Sequence, residues 1–415
     1  MRVLAPGQEA PLENGRLPAL SRVLDAAGRG ESIGEQDAAA LASAGNDRLG
    51  DLCAVAASLR DRGKGRTVTF SPKVFIPLTR LCRDFCGYCT FRQDPAAAGD
   101  KLFLTPEEVL EVARAGQRLG CTEALFTMGE RPEQRYPEAK EWLRRRGYAT
   151  TLQYLADMCK LVMEETSLLP HANPGTMSRR ETESLQPFNP SMGLMVECTS
   201  ERLYGEGGPH RYAPSKRPRV RLRTIEIAGQ LRVPFTTGIL IGIGETRQER
   251  IDSLLAIRRL HRAHGHIQEV IVQNFRAKPD TPMGRAPDAA TDELLWSVAV
   301  ARLLLGPDMN VQVPPNLNAR DYEIYLDAGI NDWGGVSPLT IDYVNPEAPW
   351  PAVAELRDRT RAKGFELRPR LPVYPEYILG SNGGCLPAPV KAKVTALADQ
   401  DGYVQGGIQR YAGID

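Results

Sequence analysis

Val74-Phe-Ile-Pro-Leu78, followed by Leu81-Cys82-Arg-Asp-Phe-Cys86-Gly-Tyr88-Cys89-Thr-Phe91, is the stretch on which the reading of this chain turns. The first part is an apolar run of strand length. The second sets three cysteines at spacings of four and three on the loop that leaves that strand. Working outward, the same rhythm recurs. Short apolar runs stand at 124–127, 168–172, 192–197, 234–241, 269–274 and 310–314, with a weaker one at 330–333. Amphipathic segments separate them. Thr105-Pro-Glu-Glu108, Ser178-Arg-Arg-Glu181 and Thr246-Arg-Gln-Glu249 are capping boxes, which open helices by satisfying free backbone N–H groups.

Continuous apolar strands alternating with helices predict an α/β fold with a parallel sheet and right-handed crossovers. About eight units predict a (β/α)8 TIM-type barrel over residues 67–364, closed, opened or reduced to six strands. A doubly wound open sheet is the alternative. Residues 1–66 are rich in Ala, Gly and charge, with short helices expected near 17–27, 34–44 and 47–62, and read as an N-terminal helical cap. Residues 365–415 read as a C-terminal extension with a short helix near 389–398.

The 415 residues carry 52 Lys and Arg against 51 Asp and Glu, a net charge of +1. So even a balance gives no global attraction to nucleic acid or an anionic membrane. No run approaches the roughly 18 apolar residues of a membrane span, and Met1-Arg-Val-Leu-Ala-Pro-Gly7 lacks the apolar core of a signal peptide. A cytoplasmic location is expected. The basic runs at 144–146 and 215–223 read as solvated helix faces, with a phosphate contact as the alternative.

Eight cysteines are too few for a disulfide scaffold. Cys53, Cys121, Cys159, Cys198 and Cys385 are scattered, whereas Cys82, Cys86 and Cys89 are clustered and read as a metal site. Three thiolates can hold three irons of a 4Fe–4S cluster and leave the fourth iron open to a chelating ligand. Two other readings compete. Structural zinc needs four closed ligands, and none of the five histidines (His171, His210, His261, His264 and His266) is near in sequence. A distant Cys121 could instead complete an ordinary four-cysteine cluster. Either would suit a non-catalytic iron–sulfur or zinc protein.

The cysteine spacing, with the aromatic Tyr88 just before the last cysteine, resembles the radical S-adenosylmethionine (SAM) superfamily. The resemblance implies a 4Fe–4S cluster on Cys82, Cys86 and Cys89 and a SAM site around it. Phe126-Thr127-Met128-Gly129-Glu130 stands where that superfamily places a Gly-Gly-Glu-type motif for the SAM amino group, with Met128 in place of the first glycine. Glu197, at the end of the fourth strand, stands where a polar residue often meets the ribose. Gly238-Ile-Leu-Ile-Gly242-Ile-Gly244-Glu245 is similar to the adenine-side motif.

Longer strings resemble the 7,8-didemethyl-8-hydroxy-5-deazariboflavin synthase family, which makes the deazaflavin chromophore FO. They are Phe126-Thr-Met-Gly-Glu-Arg-Pro-Glu133, Phe235-Thr-Thr-Gly-Ile-Leu-Ile-Gly-Ile-Gly-Glu-Thr246, Gln273-Asn-Phe-Arg-Ala-Lys-Pro-Asp-Thr-Pro-Met283 and Gly329-Ile-Asn-Asp-Trp-Gly-Gly-Val-Ser337. The resemblance implies a lyase that closes a tyrosine-derived coupling product, 5-amino-5-(4-hydroxybenzyl)-6-(D-ribitylimino)-5,6-dihydrouracil, into FO with loss of ammonia. It also implies an electron donor and a sister enzyme that couples tyrosine to 5-amino-6-(D-ribitylamino)uracil. That sister is the rival reading, but it tends to carry Gly-Gly-x-His-Pro where this chain has Met128-Gly-Glu-Arg-Pro132. The two activities also occur fused, so a chain of this length is expected to be free-standing or one half. A substrate with phenol, uracil and ribityl groups calls for hydrogen-bonding residues on the late loops. Asn274, Arg276, Lys278, Asn316, Asn331, Asp332 and Trp333 are the candidates, each with a structural role as its alternative. No residue is assigned to proton or hydrogen relay.

Overall fold

The computed structural model describes residues 19–380 and 386–411. Residues 17–18 of the first expected helix and Cys385 lie outside them. Nine parallel strands form: β1 (Thr67–Thr79), β2 (Glu123–Met128), β3 (Leu169–Asn173), β4 (Ser191–Gly193), β5 (Phe235–Ile241), β6 (Ile267–Asn274), β7 (Asn310–Gln312), β8 (Asp332–Val336) and β9 (Glu366–Pro369). Strands β1 to β8 neighbour one another in sequence order, and β1 pairs with both β8 and β2, which closes an eight-stranded barrel. Helices cover it outside, and the three capping boxes form at Thr105, Ser178 and Thr246.

β1 does more than its apolar centre predicts. It is 13 residues long because its lower half has a partner of its own. Lys73–Thr79 pairs with β2, whereas Thr67–Phe70 pairs with β9. The segment expected to be a mere extension therefore supplies a strand. Beyond β9, Leu371, Val373, Tyr374, Val390 and Val394 pack into a second apolar cluster against Leu169. At the other end of the chain, helix Leu49–Lys64 packs on helix Thr291–Leu305. Its buried Arg60 donates to the carbonyls of Leu326 and Ile330 at 2.9 and 2.8 Å.

Two expected strands are corrected. The fourth, read over 192–197, pairs regularly only over Ser191–Gly193. The chain then bends, and Glu197, at φ 65°, rejoins β5 through a bridge to Ile239. The eighth, read over 330–333, runs Asp332–Val336 instead. Gly334-Gly335 looks like a terminating turn, yet both lie in the strand. A Cβ on Gly335 would stand 2.4 Å from Lys73 Cε, so the glycine makes room for that side chain inside the barrel. Among the described residues no helix is long and apolar enough to cross a membrane.

Candidate active site

The cysteine loop leaves β1 at the C-terminal face of the barrel, the end where loops of such folds gather functional groups. Neighbouring loops hold it in place. Phe85 N donates to Tyr212 O at 3.0 Å, Gly87 N to Pro209 O at 2.7 Å, and Met283 N to Gly87 O at 2.9 Å. Thr90 Oγ1 donates to Val344 O at 2.9 Å, tying it to the loop after β8. Gly129 fixes the approach of β2: a Cβ there would stand 1.9 Å from Leu81 O, so only glycine lets this backbone lie against the cysteine loop. The adjoining Glu130 N donates to Cys82 Sγ at 3.1 Å.

Cys82, Cys86 and Cys89 line one cleft of about 270 Å³. Tyr88, Thr127, Met128, Gly129, Glu130 and Glu197 share its wall, as do Asn274, Arg276 and Lys278. Cys121 precedes β2 and so lies at the opposite end of the barrel, which removes it as a fourth ligand. No histidine lines the cleft among the described residues. Nor are three His, Cys, Asp or Glu side chains gathered as a single-ion site among them. Thiols that share a wall without meeting at a point suit a multi-iron cluster better than a tetrahedral zinc. Burial pushes the Cys82 thiol up to about 12 and raises Cys86 as well. Such thiols become thiolates when a cationic centre sits beside them. The donor set therefore fits a resident iron–sulfur cluster on these three residues.

Around the thiols the cleft divides by polarity. Tyr88, Cys198, Leu240, Ile243 and Phe275 pack with Cys86 and Cys89 as an apolar collar. Opposite, Glu130 accepts from Thr176 Oγ1 at 2.5 Å and from Thr176 N at 3.1 Å, while burial raises its pKa. Glu197 pairs with Lys216. Burial alone would push the Glu197 carboxyl up, but Lys216 and Arg221 outweigh it and keep the carboxylate ionised. Thr127 Oγ1 is buried and has no hydrogen-bond partner among the described residues. Tyr88 shares a 3.0 Å hydrogen bond with the buried His210.

Several expectations change. Gly242 and Gly244 take φ of 90° and 103°, as a tight turn requires, but neither lines the cleft. Leu240 and Phe275 reach it instead. The Glu245 carboxylate is spent on its own turn, accepting from Gly242 N, Ile243 N and Arg250 Nε at 2.8, 2.9 and 2.7 Å. Asn316 donates to Asp342 Oδ2 and Ala348 O, clamping the loop after β8. Asn331, Asp332 and Trp333 are corrected as substrate contacts, because the later start of β8 puts them at the bottom of the barrel. Asn331 bonds Arg302 and Asn310, Asp332 bonds Arg370, and Trp333 Nε1 donates outward to Thr360. The basic run at 215–223 is split: Arg217, Arg219 and Arg223 are exposed, but Lys216 and Arg221 face the cleft. No periodicity in the run marks these two, because Lys216 precedes the helix Pro218–Gln230 that carries Arg221.

Comparison with known proteins then places the chain. The radical SAM superfamily model matches residues 76–257. The 7,8-didemethyl-8-hydroxy-5-deazariboflavin synthase of Methanopyrus kandleri is 54% identical over 338 residues, covering 81% of this chain and 100% of that protein. The chain belongs to this radical SAM family. The FO synthase of Nocardia farcinica is 54% identical over 391 residues, 92% of this chain but 45% of that protein, so the chain spans about half the length of that relative. The hydrogenase maturase HydG from Carboxydothermus hydrogenoformans shares the fold, with a TM-score of 0.68 at 19% identity over 91% of this chain and 89% of that one.

Proposed function

We propose that the chain is a radical SAM lyase that closes the tyrosine–ribitylaminouracil coupling product into the deazaflavin FO, releasing ammonia, methionine and 5′-deoxyadenosine. The observation that carries this reading is the match along the whole length of a named deazariboflavin synthase by a chain whose cleft carries the three thiols. A bound cluster would supply the electron that cleaves SAM to a 5′-deoxyadenosyl radical.

The chain's own residues do the rest. Cys82, Cys86 and Cys89 hold the cluster. Glu130 and the Met128–Gly129 backbone receive the amino-acid end of SAM, Glu197 with Lys216 its ribose, and Leu240 with Phe275 its adenine. The apolar collar keeps water and stray hydrogen donors from the reactive centre. A sister enzyme supplies the coupling product, and an external reductant supplies electrons. The test is anaerobic turnover with dithionite, SAM and either the preformed coupling product or free tyrosine plus 5-amino-6-(D-ribitylamino)uracil. Mass spectrometry should find FO from the first alone. Coupling of the free pair by this chain would reassign it to the sister activity.

A further inference from the structure

Beneath the cleft lies a second chamber of about 200 Å³, inside the barrel. Thr127, Asn173, Gln273 and Asn345 line both, so the two adjoin. Side chains that point inward recur every second residue along a strand and stack in layers. Descending from the cleft, β2 presents Thr127, Leu125 and Glu123, β3 presents Asn173 and His171, and β6 presents Gln273, Ile271 and Glu269. β1 adds Phe75 and then Lys73. The chamber thus has a polar collar, an apolar belt and a charged floor, where barrels of this type ordinarily pack branched apolar residues.

The floor's charges are already satisfied. Lys73 donates to Glu123 at 2.8 Å, and Ser71 donates to the other oxygen of that carboxylate. Arg370, delivered by the chain after β9, bonds Asp332 at 2.6 Å and Glu269 at 3.0 Å. Tyr374 and Thr236 donate to Glu269 at 2.8 and 3.0 Å. Lys73 and Arg370 therefore face Glu123, Glu269 and Asp332, which leaves no spare cation for a phosphate. The carboxylates leave little for a cationic ligand.

What remains open is uncharged hydrogen bonding. Ser191 Oγ donates to Pro372 O at 2.6 Å, so it can only accept from His171 Nδ1, 2.7 Å away. This fixes the proton on Nδ1 and leaves Nε2 as a bare acceptor in the chamber. Burial favours the same neutral ring. The Gln312 amide has no hydrogen-bond partner among the described residues, and Lys73 has N–H groups beyond the one given to Glu123. Donors and acceptors interleaved around a floor whose charges are already paired match hydroxyl groups, each of which both gives and takes a hydrogen bond.

We propose that the chamber seats the substrate's polyol: the ribityl arm binds the floor through Lys73, His171 and Gln312, and the planar ring system lies in the belt of Phe75, Leu125 and Ile271, below the cleft. This rests on the function proposed above and assigns the residues that select its substrate. The experiment uses the reconstituted holoenzyme and two forms of the coupling product, one bearing D-ribityl and one 2-hydroxyethyl. The truncated form should show a KM raised about 10- to 100-fold, the worth of one to two lost hydrogen bonds to such groups. His171→Leu and Gln312→Leu should raise KM for the ribityl substrate alone, with cluster absorbance and SAM affinity unchanged. Equal KM for both substrates, or variants that weaken both alike, would overturn the assignment while FO formation left the function standing. Calorimetry with 5-amino-6-(D-ribitylamino)uracil reads the chamber without turnover. Binding that His171→Leu weakens, with no FO formed from the coupling product in the turnover assay, would sink the function and keep the chamber; absence of binding would refute the chamber. A 5′-phosphorylated ribityl compound should bind more weakly than the unphosphorylated one, and tighter binding would show a cation free of the carboxylates on the floor.

Discussion

At the residue scale the cysteines differ by place, not by chemistry. Cys82, Cys86 and Cys89 sit on one loop at the cleft, whereas Cys121 and Cys159 are buried away from it and behave as small apolar side chains. Replacing any of the first three by Ala should abolish iron uptake on anaerobic reconstitution, as read by iron content and visible absorbance. Cys121→Ala should leave both unchanged, and loss of iron in that variant would restore it as a ligand. The same contrast of position governs the glutamates. Glu130 and Glu197 face the cleft, but Glu245, though in a string similar to the adenine motif, is bound to its own backbone.

At the element scale, the turn between β5 and helix Arg247–His264 shows what that glutamate does. Its carboxylate ties two N–H groups of a left-handed turn to Arg250, which in turn bonds Glu293. Glu245→Ala leaves Arg250 short of a buried partner and should cost about 3 kcal/mol in denaturant unfolding. The loosened turn should also weaken SAM binding by calorimetry while iron content stays intact. Thr246→Ala, one residue on, removes only a helix cap and should cost about 1 kcal/mol with SAM affinity unchanged. Equal effects on SAM in both variants would mean that the turn does not shape the cofactor's side of the cleft.

At the scale of the whole molecule, the floor of the barrel joins distant parts of the chain. Arg370 spans Asp332 and Glu269. Arg370→Met strands two buried carboxylates and should cost about 3–5 kcal/mol, measured by the denaturation midpoint. An unchanged midpoint would show that β9 and the chain beyond it are dispensable. Acid should also unfold the protein through its buried histidines. Burial lowers His171 to about 4 and His266 to about 3, against 6.5 when unfolded. Between those values the unfolded chain binds more protons, so stability is complete above about pH 6.5 and falls as pH drops toward 4 and 3. Each histidine should remove about 2 kcal/mol by pH 5. The His266→Gln variant should lose less on acidification, and an equal slope would place a charged His266 inside the fold.

The order of strands and helices, the capping boxes and the cysteine loop were legible in the sequence, because each rests on neighbours within a few residues. Periodicity, caps and ligand spacing are local quantities. The charged floor was not legible. It takes single residues from β1, β2, β3, β6, β7 and β8 and one from beyond β9, and in each strand a lone Lys73, Glu123 or Glu269 reads as a strand end. Asn331, Asp332 and Trp333 were misplaced for the related reason that Gly334-Gly335 signals a turn locally but clears space for Lys73 and Gln312 across the barrel. The sequence by itself determined which elements form and which thiols stand together. Only barrel closure decided which side chains face inward and at what depth, because that depends on pairings between residues hundreds of positions apart.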